Sequence, residues 1–345
     1  MALIGLLTGG GDCPGLNAVI RAVVRRGLAY GDYSFVGFRD GWAGVLKDDA
    51  LELTLENTEG ILPRGGTILG TSRTNPFTEG RDGTAEIRRT LESRGIDALI
   101  PIGGEDTLGA ALSLHRDGIS IVGVPKTIDN DLAGTDVTVG FQTAVQIVTD
   151  AIDRLHTTAE SHNRVIVVEV MGRHAGWIAT HAGIAGSADA ILVPERPYDI
   201  EEVCAHLRRR HERGRNFSIV VVAEGAAPAE GTLQTREGAP TDAFGHARLG
   251  GIGVTLEREI EARTGYETRV TILGHVQRGG TPVAYDRVLA TRFGVAAMEA
   301  VAAGSFGTMV ALHDSQIVEV DLEEALRAPK LLDPALYETA DLFFG

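Results

Sequence analysis

Ile119-Ser120-Ile121-Val122-Gly123-Val124 runs straight into Pro125-Lys126-Thr127-Ile128-Asp129-Asn130-Asp131. The join between these two stretches decides the fold. The first is apolar, β-branched and of strand length, so it reads as a buried strand from Ile119 to Val124. Pro125 closes it, because proline has no N–H to give to a ladder. The second stretch therefore leaves the end of a buried strand, where open parallel sheets bind ligands. It carries a cation, a hydroxyl and two carboxylates, a set that can serve a metal, a proton and a phosphoryl oxygen together. Asp-Asn-Asp is also an ordinary turn sequence, and taken alone the segment supports either reading.

Other strand ends repeat the pattern. Ala2 to Thr8 reads as a strand, Gly9-Gly10-Gly11-Asp12-Cys13-Pro14-Gly15 comes next, and a helix runs from Leu16 to Tyr30. Glycine-rich strand-to-helix turns let backbone N–H groups face an anion, helped by the helix dipole. The spacing matches neither the dinucleotide fingerprint nor the P-loop. A phosphate cradle and a plain tight turn are both compatible with it. Arg64-Gly65-Gly66-Thr67 and Gly70-Thr71-Ser72-Arg73 form a second glycine-rich loop carrying arginines. The strand Asp97 to Ile102 ends in Gly103-Gly104-Glu105-Asp106-Thr107, which opens a helix to Arg116. Acids there cap a helix well; two glycines before two acids also make a seat for Mg²⁺.

Further strands are expected at Arg164–Val170, Ala190–Val193, Phe217–Ala223 and Thr268–Leu273. Helices are expected at Asp82–Arg94, Thr143–Thr158, His174–Gly186, Ile200–Arg213, Gly253–Arg263 and Tyr285–Ala303. Ala226 to Ala247 reads as a mobile surface loop. Strands and helices alternate, so the class is α/β with mainly parallel sheets. Strands in the first half end in carboxylates, and those in the second mostly in arginine, histidine and one glutamate. That asymmetry points to a metal–phosphate donor on one half and an anionic acceptor on the other.

Composition narrows the functions. The chain has 345 residues, 43% hydrophobic and 23% charged, a globular composition with length enough for two domains or one large α/β unit. No apolar run is long enough to span a bilayer. Met1-Ala2-Leu3-Ile4 enters a strand with no basic region or cleavage site. Cys13 and Cys204 fit neither a disulfide framework nor zinc spacing, so a cytoplasmic protein with reduced thiols is expected. The net charge of −15 disfavours a nucleic-acid groove but not a small anion met by locally gathered arginines.

These motifs, in this order and spacing, resemble the 6-phosphofructokinase family over nearly the whole length. The match runs from Gly9-Gly10-Gly11-Asp12 through Arg64-Gly65-Gly66-Thr67, Thr127-Ile128-Asp129-Asn130-Asp131, Ser161-His162-Asn163-Arg164 and Met171-Gly172-Arg173 to Gly274-His275-Val276-Gln277-Arg278-Gly279-Gly280. The resemblance implies two Rossmann-like three-layer α/β domains with the site between them. The expected division is 1–140 plus 256–305 for the donor and 141–255 plus 306–345 for fructose 6-phosphate.

It also implies phosphoryl transfer to the 1-hydroxyl of fructose 6-phosphate, with Asp129 as the base and Thr127, Ile128 and Asp131 beside it. Glu105 falls where the family keeps an acidic Mg²⁺ ligand, and Asp131 is a second candidate. Gly11, Arg73, Gly104 and Thr107 would face the donor. Met171, Gly172, Arg173 and Glu224 would hold the sugar. His275, Val276, Gln277 and Arg278 would line its 6-phosphate, helped by Arg164 and Arg269 from a neighbouring subunit, so a homotetramer rather than a homodimer is expected.

Two positions bear on the donor. ATP-using members of the family usually have glycine where this chain has Asp106 and Lys126. An aspartate at 106 would repel the α-phosphate of ATP, and Lys126 could grip pyrophosphate and the moving phosphoryl group. The Asp/Lys pair resembles pyrophosphate-dependent members. If the two side chains simply neutralise each other, ATP could still be used. Arg21, Arg25 and Arg154 resemble part of the family's effector pocket, and read equally well as solvated charges or subunit contacts. An ATP-dependent kinase, a non-catalytic sugar-phosphate sensor and, more remotely, a nicotinamide dehydrogenase are the alternatives.

Overall fold

A computed structural model describes residues 1–78, 81–230 and 251–344. In chain order it opens with β1 (Ala2–Thr8), α1 (Leu16–Tyr30), β2 (Tyr33–Phe38), α2 (Trp42–Lys47) and β3 (Ala50–Leu53). A small hairpin, β4 (Phe77–Thr78) and β5 (Arg81–Asp82), leads to α3 (Thr84–Arg94), β6 (Ile96–Gly103), α4 (Glu105–Arg116) and β7 (Val122–Pro125). Next come α5 (Phe141–His162), β8 (Val165–Val170), α6 (Trp177–Ala185), β9 (Ala190–Leu192), α7 (Ile200–Glu212) and β10 (Ser218–Ala223). The chain continues through α8 (Ile252–Thr264), β11 (Thr268–Ile272), a 3-10 turn (Gly274–Arg278) and α9 (Ala284–Ala303). It closes with β12 (Thr308–His313), β13 (Gln316–Asp321), α10 (Leu322–Ala325) and α11 (Pro334–Asp341).

Two compact units result. Among the described residues, 1–143 and 278–329 make the first, and 144–277 with 330–344 the second. This corrects the expected division twice. Residues 256–277 belong with the second unit because β11 pairs in parallel with β8. Residues 306–329 belong with the first because β12 pairs with β7. Met309, Val310, Ala311 and Leu312 give β12 an apolar run that is buried there.

The first unit's sheet has the order β13-β12-β7-β6-β1-β2-β3. Only β3 and β13, at its two edges, run antiparallel to their neighbours. Helices α2, α3, α4 and α10 share one apolar cluster with the sheet, through Trp42, Ile87, Leu108 and Leu322 among others. Helices α1 and α9 pack on each other as a further layer. Strand β1 crosses over α1 to β2 on one side and has β6 on the other. The crevice beyond the carboxyl ends of β1 and β6 is therefore a topological switch point, where doubly wound sheets bind ligands. Pro125 is the last residue of β7, one past the expected end at Val124, and pairs with Gly103. The strand starts later than expected, at Val122, with only an isolated bridge at Ile121.

The second unit's sheet is parallel throughout, in the order β11-β8-β10-β9. Its own apolar cluster joins Val165, Leu192, Val203, Leu207, Val222 and Leu256. The segment expected as a loop from Ala226 is tied at its start, where Tyr198 N–H donates to Ala227 O and Ala229 N–H to Tyr198 O. Residues 231–247 of that expectation lie outside the described residues.

Candidate functional site

In the first unit the carboxyl ends of β1, β6 and β7 bring Gly9–Gly11, Gly103–Thr107 and Lys126–Asp131 side by side. Lys126 is 3% exposed. Its ammonium donates to the carbonyls of Gly9 at 2.9 Å and Gly11 at 2.5 Å. Burial drives its pKa below the ordinary lysine value, while the nearby Asp12 and Asp129 carboxylates pull the other way. The loop is held from its other side as well. Thr71 Oγ1 donates to Gly10 O at 2.6 Å, and Gly10 N–H to Ser72 O at 3.3 Å. Buried Asn17 fixes the Arg64–Gly65 turn, giving its Nδ2 protons to both carbonyls and accepting from Ile68 N–H.

The Arg278 guanidinium lies directly over Gly11, in the space a Cβ there would take. Arg278 also approaches Asp12 O, at 3.4 Å. Thr107, expected to face the donor, is buried with its side chain against Gly9 and Gly103. Glu105 and Asp106 occupy the first turn of α4, Glu105 exposed and Asp106 half-buried. Gly104 is the residue before that helix, and Arg73 is exposed.

The segment after β7 folds on itself. Asn130 has φ 54°, a left-handed conformation that asparagine tolerates better than most residues. Its buried carboxamide accepts from Thr138 N–H at 3.0 Å and donates to Asp136 O at 3.3 Å. Thr138 Oγ1 donates to Thr127 O at 2.6 Å. Asp129 N–H donates to Thr127 Oγ1 at 3.2 Å. Ile128 is buried; Asp129 and Asp131 are half-buried. Asp286, absent from the sequence reading, is fully buried. It accepts from Gly140 N–H at 3.0 Å and from Thr143 N–H and Oγ1 at 2.7 and 2.5 Å, which caps the start of α5. Burial pushes its carboxyl above the usual range. Cys13 donates its thiol proton to Val139 O at 3.4 Å, and burial pushes its pKa up to about 12.

In the second unit β8, β10 and β11 deliver the other candidates. Met171 and Gly172 are buried, Arg173 and Glu224 half-buried. Gly225 lies against this loop: its N–H donates to Gly172 O at 3.0 Å, and a Cβ would strike Arg173 O. His275 and Val276 are exposed on the 3-10 turn, whereas Gln277 is wholly buried. Arg164 and Arg269 meet through a residue that sequence reasoning missed. Glu267 accepts from Arg164 at 2.7 Å and from Arg269 at 2.5 Å. The Arg164 hydrogen bond, with both guanidinium charges, holds the Glu267 carboxyl below its usual pKa. Arg21 is half-buried on α1; Arg25 and Arg154 are exposed.

In the first unit, a glycine loop propped by a cation next to strand ends that carry carboxylates suits phosphoryl chemistry; in the second, Arg164 and Arg269 are groups that match phosphate. The phosphofructokinase family model matches residues 3–301. This chain belongs to the phosphofructokinase family. The pyrophosphate–fructose 6-phosphate 1-phosphotransferase of Amycolatopsis methanolica is 61% identical over 99% of both chains. The ATP-dependent 6-phosphofructokinase 3 of Streptomyces coelicolor is 56% identical over 98% of both. Among solved structures, phosphofructokinase from Saccharomyces cerevisiae superposes with a TM-score of 0.80 at 34% identity, covering 100% of this chain and 47% of that one. The fold expectation, two α/β units with mainly parallel sheets, is that of these phosphofructokinases.

Proposed function

We propose that the chain transfers a phosphoryl group from pyrophosphate to the 1-hydroxyl of fructose 6-phosphate. The products are fructose 1,6-bisphosphate and phosphate, and the reaction runs in both directions. The observation that carries the donor is Lys126, a buried cation seated on the carbonyls of the glycine loop. It concentrates positive charge where a compact diphosphate needs it. Asp106, in the first turn of α4, works against a nucleotide. Two like charges about 4 Å apart interact by roughly 4 kcal/mol at an effective dielectric near 20, and about 1.4 kcal/mol already changes affinity tenfold. The 61% identical relative is named for the pyrophosphate reaction.

In this reading Asp129 takes the proton of the attacking hydroxyl, with Thr127 and Ile128 beside it. Lys126, Gly11, Gly104, Asp106, Thr107 and Arg73 form the donor side. Met171, Gly172, Arg173 and Glu224 hold the sugar, and His275, Val276 and Arg278 its phosphate. Catalysis of this kind rests on positioning and charge neutralisation more than on covalent chemistry. Mg²⁺ fits the residues present. It prefers hard oxygen ligands and takes one or two carboxylates alongside substrate phosphates, and Glu105 and Asp131 supply those; it would neutralise charge on the transferring group. Arg164 and Arg269 would complete a neighbouring subunit's site in a homotetramer.

Turnover of fructose 6-phosphate with Mg²⁺ and either pyrophosphate or ATP tests the donor. A clear preference for ATP overturns it and favours the reading that the 56% identical ATP-dependent relative supports. Asp129→Ser should leave fructose 6-phosphate binding intact and abolish turnover; unchanged turnover would remove Asp129 from the chemistry.

A further inference from the structure

Gln277 stands in the 3-10 turn Gly274–Arg278, next to Val276, which is 61% exposed, yet is itself 0% exposed. Its carboxamide is committed at both ends. Oε1 accepts from Met171 N–H at 3.1 Å, and Nε2 donates to Gly274 O at 3.0 Å. The orientation of the amide is fixed by its partners, since a backbone N–H can only donate and a carbonyl only accept.

The place of this bridge matters. The β8–β11 ladder ends at Glu169 and Ile272, followed by one more bond from Leu273 N–H to Glu169 O at 3.0 Å. Beyond it the strands hand over to two loops, Met171–Gly176 and Gly274–Arg278. The side chain of Gln277 provides the next cross-link, in place of a ladder rung. The far end of the first loop has its own anchor: Glu195 accepts from Gly176 N–H at 3.0 Å and from Leu332 N–H at 2.9 Å.

We infer that Gln277 is a positioning residue that sets the spacing between the Met171–Arg173 loop and the His275–Val276 turn, and that substrate does not touch it. This rests on the reading of those loops as the sugar-phosphate side of the site. It replaces the sequence expectation that Gln277 lines the phosphate itself. Loss of the bridge should weaken sugar binding and leave the donor side alone.

Two variants test it. Gln277→Met keeps the length and fills the space but makes neither bond. Gln277→Glu keeps the acceptor for Met171 N–H and loses the donor to Gly274 O. The expected result for Gln277→Met is a KM for fructose 6-phosphate raised about tenfold, the loss of about one buried hydrogen bond's discrimination. Its kcat should stay within about threefold and its KM for pyrophosphate within about twofold. Hydrogen exchange at Met171 N–H should be faster, and Gln277→Glu should fall between parent and Gln277→Met. A sugar KM in Gln277→Met within about twofold of the parent overturns the proposal, whatever the exchange shows. So does a fall in all kinetic parameters that only tracks a lower folded fraction by circular dichroism. If the parent turns over no fructose 6-phosphate with pyrophosphate, the functional reading fails on its own. The exchange arm then decides the bridge, and unchanged exchange at Met171 in Gln277→Met overturns it.

Discussion

The ammonium nitrogen of Lys126 lies 2.9 Å from the carbonyl oxygen of Gly9. A side chain at the end of β7 thus holds the loop at the end of β1, and replacing it does more than remove a charge. Lys126→Gly should leave the Gly9 and Gly11 carbonyls without this donor and lower pyrophosphate kcat/KM by about a hundredfold, the scale of one or two charge-assisted hydrogen bonds. It should not create ATP turnover. Asp106→Gly, which removes the repelling carboxylate, should raise ATP turnover by itself. Steady-state kinetics with both donors check this; ATP turnover in Lys126→Gly near the parent's pyrophosphate rate would sink it.

Asn130 gives a second prediction. Its φ of 54° and its bonds to Asp136 O and Thr138 N–H shape the loop that carries Asp129. Asn130→Ala keeps neither bond and sits poorly at that φ. We predict a kcat lower by about tenfold to a hundredfold, with the KM for fructose 6-phosphate changed much less. Equal losses in kcat and in sugar affinity would argue that the loop serves binding instead.

Glu267 is charged near neutral pH and draws on both Arg164 and Arg269. Glu267→Gln frees their positive potential for a phosphate. Fructose 6-phosphate should bind several-fold tighter by calorimetry at low salt, and the gain should shrink as ionic strength rises. Weaker binding in the variant would mean that Glu267 is needed to hold the two arginines in place.

The thiols predict an alkaline limit. Burial raises the pKa of Cys13 to about 12 and that of Cys204 to about 11. Between an ordinary thiol pKa of about 8.5 and those values the unfolded chain releases protons that the folded chain keeps. Unfolding free energy therefore falls as pH rises through that window. Urea melts above about pH 8.5 should show the decline, and it should diminish in Cys13→Ala. At neutral pH neither thiol should react with a maleimide until the protein unfolds; rapid labelling of the native protein would contradict the burial.

Much of the frame is legible in the chain itself. Strand β1 and helix α1 fall where the residues predict, and β8 and β10 within a residue. Long apolar runs between glycines leave few alternatives. Residues 33–53 and 308–321 gave no expectation; the identity of β2, β3, β12 and β13 as strands comes from the partners they pair with. The carboxylates and arginines of the site were readable as types at strand ends. Their partners were not: that Lys126 turns back onto Gly9, that Glu267 joins Arg164 to Arg269, or that Gln277 faces inward are consequences of tertiary packing. Asp286 was invisible for the same reason, being one acid early in a helix whose burial depends on α5.

The return of β12 to the outer edge of β7 has a consequence for biogenesis. A ribosome must translate residues 144–277, all of the second unit but its last segment, before it makes the strand that joins the first unit's sheet beside β7. At roughly 5–20 residues per second that interval is on the order of ten to forty seconds, during which the Val122–Pro125 edge lacks its neighbour. Nascent chains stalled near residue 300 should therefore recruit holdase chaperones and resist protease poorly, and release past residue 321 should end both behaviours.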